Sequence, residues 1–399
     1  MSGRNLYSLT PKGFEQIMTQ LKVHQDEVMH THDMYAQNEK VFLQSLSQFT
    51  QQHLGNQSDN SRKINTSEDL KREAALDPYI ASLSKEQLLE FWRPIVGIEH
   101  PVAEALYIAL YHQFVGNIIL EDRDDFYNMG NRPRLYLANH QVAIESILFM
   151  FAIAALSGSV INAIAKVEHQ QSWINQFLNH IYTYPNSRDP NLIFYFKRDN
   201  PRSMFKLLSM IKTAIQDQQH SLLVHVQGTR SLSCRQDIKD LSAVFIDLAL
   251  DLDLPIVPVK FAGGLPIKPM EKRLDFPYGY AQQDYYLGQT IDPRDLRTMG
   301  MKERKAHIIE RLNTLGGEVS RQELNPGNLK LGQEVEEWVT QTNVFEVQAV
   351  LYKLMEQSVD PVPELQALLT IVRDDPDLIA SPFPTQWLQN FGQWLRSTA

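Results

Sequence analysis

Apolar residues follow three successive textures along the chain. Between positions 11 and 53 a polar stretch carries Phe14, Ile17, Met18 and Leu21, then Phe42, Leu46 and Phe49, at helical spacing, which predicts a long helix or helical hairpin. Positions 55–61 hold no apolar residue and read as a linker, after which Ser67 and Ser84 offer helix N-caps. Residues 1–95 are therefore expected to form a helical N-terminal region. From 96 to 326 the texture changes. Short apolar runs at 135–138, 160–165, 193–196, 222–226 and 256–259 alternate with helical patterns at 144–156, 173–181, 202–216 and 241–250. That alternation predicts an α/β fold, a mixed sheet layered with helices. From 327 to 399 the pattern returns to helix, with Val335, Trp338, Val339, Val344, Val347, Leu351 and Leu354 on its faces. The α/β domain is thus flanked by N-terminal and C-terminal helical regions.

One stretch competes with a globular reading. Positions 146–165 carry no charge and are long enough to span a bilayer as a single helix. Ser157, Gly158 and Ser159 break it, however, and the β-branched run that follows fits a strand. A buried helix followed by a strand is the expectation.

Composition narrows the function classes. The 399 residues are 43% hydrophobic, enough for a sizeable core, and the net charge of -9 gives a whole-molecule field that repels nucleic acid and anionic membranes. An anionic ligand would have to be held by a local patch. The single cysteine, Cys234, excludes an intramolecular disulfide and a cysteine-based zinc site, which fits a reducing, cytoplasmic setting. The first residues carry no apolar run of the secretory kind. His24, His30 and His32, with Asp26 and Asp33 beside them, lack a ligand spacing and read as solvent-facing helix residues rather than a metal site.

Four segments of the α/β region carry candidate chemistry. The first is Asn139-His140-Gln141, directly after the 135–138 strand, with Glu145 five positions beyond the histidine. Residues five apart on a helix diverge, so His140 must lie in the loop before the helix if the two are to meet. Glu145 would then fix the imidazole tautomer while the other ring nitrogen takes a proton from a hydroxyl. A capping Asn-His pair beside an exposed glutamate is the plainer alternative. The second segment is Phe196-Lys197-Arg198, at a strand end. The third runs from Leu222 into the turn Gln227-Gly228-Thr229-Arg230-Ser231, where backbone N–H groups and a guanidinium can grip an anion. Between 197 and 239 eight Lys or Arg face three Asp, a local basic excess in an acidic chain, although Lys206 and Lys212 fit the solvated side of a helix. The fourth, Leu254-Pro255-Ile256-Val257-Pro258-Val259, is an apolar strand whose internal proline suggests a sheet edge or bulge.

In this order the four segments resemble the glycerol-3-phosphate and lysophosphatidate acyltransferase superfamily, with its motifs N-H-x-x-x-x-D, an apolar strand ending in arginine, F-P-E-G-T-R-S and a V-P-V strand. The resemblance covers about residues 116–264. It implies His140 as general base supported by Glu145, with Arg198 and Arg230 on an acceptor phosphate, joined by Gln227, Gly228 and Thr229. Lys166 falls where many members carry a lysine. The implied activity moves a fatty acyl group from acyl-CoA or acyl carrier protein to glycerol 3-phosphate or lysophosphatidate in phospholipid biosynthesis. No metal or redox cofactor is implied, and the partners are the acyl thioester, the phosphorylated glycerol and peripheral contact with a membrane. The helical N-terminal region makes the arrangement similar to the soluble plastid-type enzymes.

Two positions depart from the pattern: Glu145 stands for aspartate, and Gln227 for the third motif's glutamate. Both leave open a catalytically weakened homologue that binds a lipid or a protein. A serine hydrolase lacks its Gly-x-Ser-x-Gly elbow in this chain, and a dinucleotide enzyme its Gly-x-Gly-x-x-Gly turn.

Overall fold

The computed structural model describes residues 78–182, 186–197, 200–357 and 363–374. Chain contacts divide the protein into two units, Met1–Glu73 with Ala243–Asp247, and Ala74–Ser242 with Leu248–Ala399, and nearly all described residues lie in the second. The helices expected between 11 and 53, the cap at Ser67, the histidines at 24, 30 and 32 and Arg198 fall outside the described residues.

Eight strands form one mixed sheet in the order β1-β2-β8-β7-β3-β6-β4-β5. They are β1 (Tyr79–Ala81), β2 (Val115–Leu120), β3 (Leu135–Ala138), β4 (Ile161–Lys166), β5 (Ile193–Phe196), β6 (Ser221–His225), β7 (Ile256–Ala262) and β8 (Gln283–Leu287). Strands β7, β3, β6, β4 and β5 run parallel, while β8 is antiparallel to β7 and β1 antiparallel to β2. The all-apolar sequence Leu-Tyr-Leu-Ala of β3 is fully buried, as a central parallel strand covered on both faces requires. Ligand sites in such sheets gather outside the carboxyl ends of the parallel strands, where β3 and β6 end in register at Ala138 and His225.

The helices among the described residues are α1 (Lys85–Val96), α2 (Pro101–Phe114), α3 (Arg123–Asn128), α4 (Ile144–Ser157), α5 (Trp173–Ile181), α6 (Pro201–Gln216), α7 (Ala243–Leu252), α8 (Pro293–Arg297), α9 (Met301–Thr314), α10 (Leu329–Thr342), α11 (Glu346–Glu356) and α12 (Pro363–Asp374). Ser84 caps α1 in a reciprocal pair with Gln87, and Gly97, at φ 81°, turns the chain out of it. The uncharged stretch 146–165 resolves into α4 and β4, separated by Gly158 in the left-handed region at φ 68°. No helix of the described residues is long and apolar enough to cross a membrane. Apolar on nearly every side, α4 packs against α1 and α2 and joins a core that continues into α10, α11 and α12, where Trp338 stacks on Tyr352.

Two expectations change. A strand, β1, lies within the stretch read as helical and pairs with β2. Strand β7 is neither an edge nor bulged: it lies between β3 and β8. Its proline is tolerated because Pro258 directs its carbonyl, and the nitrogen without a hydrogen, toward the end of β8. Only Gly288 N–H, donating to that carbonyl, needs to be served there.

Candidate active site

The site grows from the point where β3 stops. Asn139 extends the sheet with its side chain: its Oδ1 accepts from Phe261 N at 2.7 Å and its Nδ2 donates to Phe261 O at 2.9 Å, a rung to β7. His140 is thereby the first residue free to leave the sheet. Ser231 N–H donates to the His140 carbonyl at 2.7 Å and ties that exit to the turn after β6.

Helix α4 begins at Ile144, so the histidine lies in the loop and Glu145 in the first turn, the arrangement that the five-residue spacing demanded. The imidazole Nδ1 lies 2.9 Å from Glu145 Oε1. Glu145 is fully buried, and its two oxygens also accept from Gln141 N at 2.7 Å, Val142 N at 3.2 Å and Gln283 Nε2 at 3.0 Å. Four donors converge on one carboxylate. Because burial penalises charge, the Glu145 carboxyl is pushed up from its ordinary range, while the His225 ring, Gln283 and the two backbone N–H groups pull it back. Burial, with Arg230 and His169 nearby, holds the His140 imidazole below its ordinary value. A neutral ring donating Nδ1–H to the carboxylate leaves Nε2 as the acceptor, and that nitrogen carries no hydrogen bond among the described residues.

A second imidazole completes the cluster. The His225 ring lies against that of His140, with centroids 3.8 Å apart and planes 19° from parallel. His225 Nδ1 donates to the Asn139 carbonyl at 2.7 Å, which makes Nε2 the acceptor for the Ser146 hydroxyl at 2.8 Å. Burial lowers its pKa to about 3, so it too is neutral. The ligand atoms of His140, Glu145 and His225 lie within 4.8 Å of one another, the one such group among the described residues. Hydrogen bonds already engage the carboxylate and both His225 nitrogens, so the arrangement suits proton transfer better than metal ligation.

The turn after β6 follows the expected glycine geometry, with Gly228 at φ 64°. Gln227 Oε1 accepts from His140 N at 3.4 Å and from Ser231 Oγ at 3.2 Å, so the neutral amide braces the histidine's backbone rather than Arg230. Gly228 and Thr229 are exposed at the tip. Arg230 is less free than its motif suggests: Nη1 donates to Leu274 O at 2.5 Å and to Asp275 Oδ1 at 2.6 Å. Asp275 is held in turn by Trp173 Nε1 at 3.2 Å. Lys166 ends β4, and the turn Val167–Gln171 behind it carries His169, whose imidazole is held below its ordinary value by burial and by the nearby Lys166 and Arg230, and which in turn bears on His140. Lys206 and Lys212 lie exposed along α6, on its solvated side.

This geometry, a buried carboxylate orienting a histidine beside a basic turn at the ends of β3 and β6, decides what the comparison means. Residues 117–262 match the Acyltransferase family model. Among curated proteins none matches the chain. The matched stretch runs from β2 to the end of β7 and contains His140, Glu145, Lys166 and the turn from Gln227 to Arg230. An acyltransferase domain suggests acyl transfer in lipid synthesis.

Gln283, Leu274 and Asp275 lie beyond the matched acyltransferase domain, although they hold Glu145 and Arg230. Sequence reading gave these residues no role, nor Gln141 or His225. Burial explains Gln283 once the fold is known, since a glutamine opening the strand Gln-Asp-Tyr-Tyr-Leu at a fully buried position needs buried partners, but nothing in the sequence marks that burial. Asp275, in a loop, carried no signal either.

Proposed function

We propose that the chain moves a fatty acyl group from an acyl thioester to a hydroxyl of a phosphorylated glycerol, glycerol 3-phosphate or lysophosphatidate, with His140 as general base. The observation that carries this reading is the 2.9 Å contact between His140 Nδ1 and a fully buried carboxylate, which leaves Nε2 to accept the hydroxyl proton. The attacking oxygen adds to the thioester carbonyl, the tetrahedral intermediate collapses with loss of thiolate, and the proton held by His140 goes to the leaving sulfur. Arg230, Lys166 and, by its motif, Arg198 would grip the phosphate. Acyl-CoA or acyl carrier protein is the donor class.

A cleft with apolar walls lies between α1, α2, α4 and α5, with Trp92, Val96, Ala103, Ile147, Met150 and Leu178 among its lining residues, and an acyl chain is the part of the substrate that such walls suit. Ile147 and Met150 lie on the helix that carries Glu145, so chain binding and base orientation share one rigid element.

The test is release of free thiol from long-chain acyl-CoA or acyl carrier protein in the presence of glycerol 3-phosphate or lysophosphatidate, and its loss in His140→Ala. No release above background with any donor and acceptor would favour a non-catalytic module that binds lipid or protein.

A further inference from the structure

His225 stands where the resembling motif has phenylalanine, and the mechanism above gives it no task. Its contacts are specific ones. One face of the ring lies on His140 at 3.8 Å, and Phe261 lies 5.9 Å away at 41°. Its Nδ1–H is committed to the carbonyl of Asn139, the residue before the base, and its Nε2 to the hydroxyl of Ser146, the residue after the orienting carboxylate. With both nitrogens occupied it has no proton to exchange with a substrate. What it touches is both ends of a single short segment and the base that lies next to its start.

We propose that His225 is the positioning residue for His140: it clamps the segment 139–146 at both ends and covers one face of the base, fixing His140 with Nε2 presented as the acceptor. This deepens the reading of His140 as general base and rests on it. A shared strand register makes the clamp possible, because Ala138 and His225 are paired at the ends of β3 and β6 and the two histidine rings emerge side by side. The covered face has an electrostatic consequence. Water excluded from it cannot solvate an imidazolium, which adds to the burial that keeps His140 a free base. The other groups facing His140 are Glu145 from α4, Arg230 from the turn after β6 and His169 from the turn after β4, and Tyr285 of β8 lies by Glu145.

Two substitutions separate the clamp from the cover. In His225→Gln the amide can still donate to Asn139 O and accept from Ser146, but the ring face is lost. In His225→Phe the flat face is kept and both hydrogen bonds are lost. Both variants are expected to lower kcat about tenfold or more, since misplacing the base by about 1 Å can cost on the order of a hundredfold. KM for donor and acceptor should hardly move. Only His225→Gln should raise the acid limb of the kcat/KM profile, by roughly one pH unit as water reaches the exposed face. The same shift should appear in an NMR titration of the His140 ring, which needs no turnover. Thermal unfolding checks that each variant is folded, and Ser146→Ala, which removes one hydroxyl, carries the test if His225→Phe is not. Native kcat in the folded variants, with an unmoved His140 titration in His225→Gln, overturns the proposal. A native rate in His140→Ala would instead overturn the reading of His140 as base and leave the NMR comparison standing.

Discussion

Replacing Glu145 with glutamine isolates the charge of the orienting carboxylate from its shape. The two oxygens serve four donors: Oε1 takes His140 Nδ1 and Gln141 N, and Oε2 takes Val142 N and Gln283 Nε2. An amide keeps one oxygen, and the shorter bonds place it on the His140 side, so the imidazole retains its tautomer. The new NH2 then meets Val142 N and the Gln283 amide. Gln283 Oε1 is buried without a partner, so a flip of that amide turns it into an acceptor for the new NH2. One backbone donor, Val142 N, is left orphaned, at a cost of about 1–3 kcal/mol in stability. Activity should fall for a different reason. A neutral acceptor holds the imidazolium of the transition state less well than a carboxylate, and a hydrogen bond to a charged group contributes about 1.5–3 kcal/mol. At 1.36 kcal/mol per decade this is about a 10- to 150-fold loss in kcat. Initial rates of thiol release measure that loss, and urea unfolding measures the stability. A Glu145→Gln variant with kcat within about twofold of native would refute the assignment of Glu145 as the group that supports a protonated His140.

Further outcomes follow from other parts of the site. Arg230→Ala should lower kcat/KM for the phosphorylated acceptor by about 10- to 150-fold, the kinetic equivalent of one charged hydrogen bond. A native value in acceptor titrations would remove Arg230 from the phosphate site. Met150→Trp should fill part of the apolar cleft and shift preference toward shorter acyl chains, read as kcat/KM across a donor series; an unchanged preference would place the chain elsewhere. Gly264→Ala should cost about 1–3 kcal/mol and reduce turnover, because a Cβ there collides with the amide of Gln283 and lies 2.8 Å from Gln141 Oε1. Urea unfolding and thiol release test both effects. Acid should weaken the fold. His140 and His225 are both held below the ordinary 6.5, so the unfolded chain takes up protons first as pH falls through that value, and stability declines below about pH 6.5. The raised carboxyl of Glu145 works in the opposite direction and offsets part of the loss. Urea midpoints that rise from pH 7 to pH 5 would contradict neutral buried imidazoles.

Periodicity located the strands whose faces are both buried, because an unbroken apolar run leaves few other options. Leu135–Ala138 and Ile193–Phe196 were placed to the residue, and α5 likewise, through its apolar stripe. Strands β1, β2 and β8 escaped because their signal is mixed. Ile80 is 59% exposed, and Gly116 and Asn117 interrupt β2. Pro258 argued for an edge since a proline usually lacks a place inside a sheet, yet here the neighbouring strand ends beside it. At the site, spacing and turn chemistry allowed the His140 to Glu145 contact beside the plainer reading of a capping pair with an exposed glutamate, and the resemblance of the motifs favoured it. Gln283, Asp275 and Leu274 were not, for they reach the site from more than a hundred residues, or from an irregular loop, away in sequence. No local pattern encodes a partner that arrives by tertiary packing.

The reach of β8 and the loop before it into the site bears on how portable this domain is. A fragment cut at residue 262, where the family match ends, would retain the histidine and its carboxylate. It would lose the amide that holds the carboxylate and the acid that holds Arg230, as well as the strand covering β7. Grafting or truncation guided by the motifs alone would therefore yield a loosened centre. The smallest piece able to keep the site's supports must extend through Leu287, so the chemistry and the closing of the sheet are inherited together.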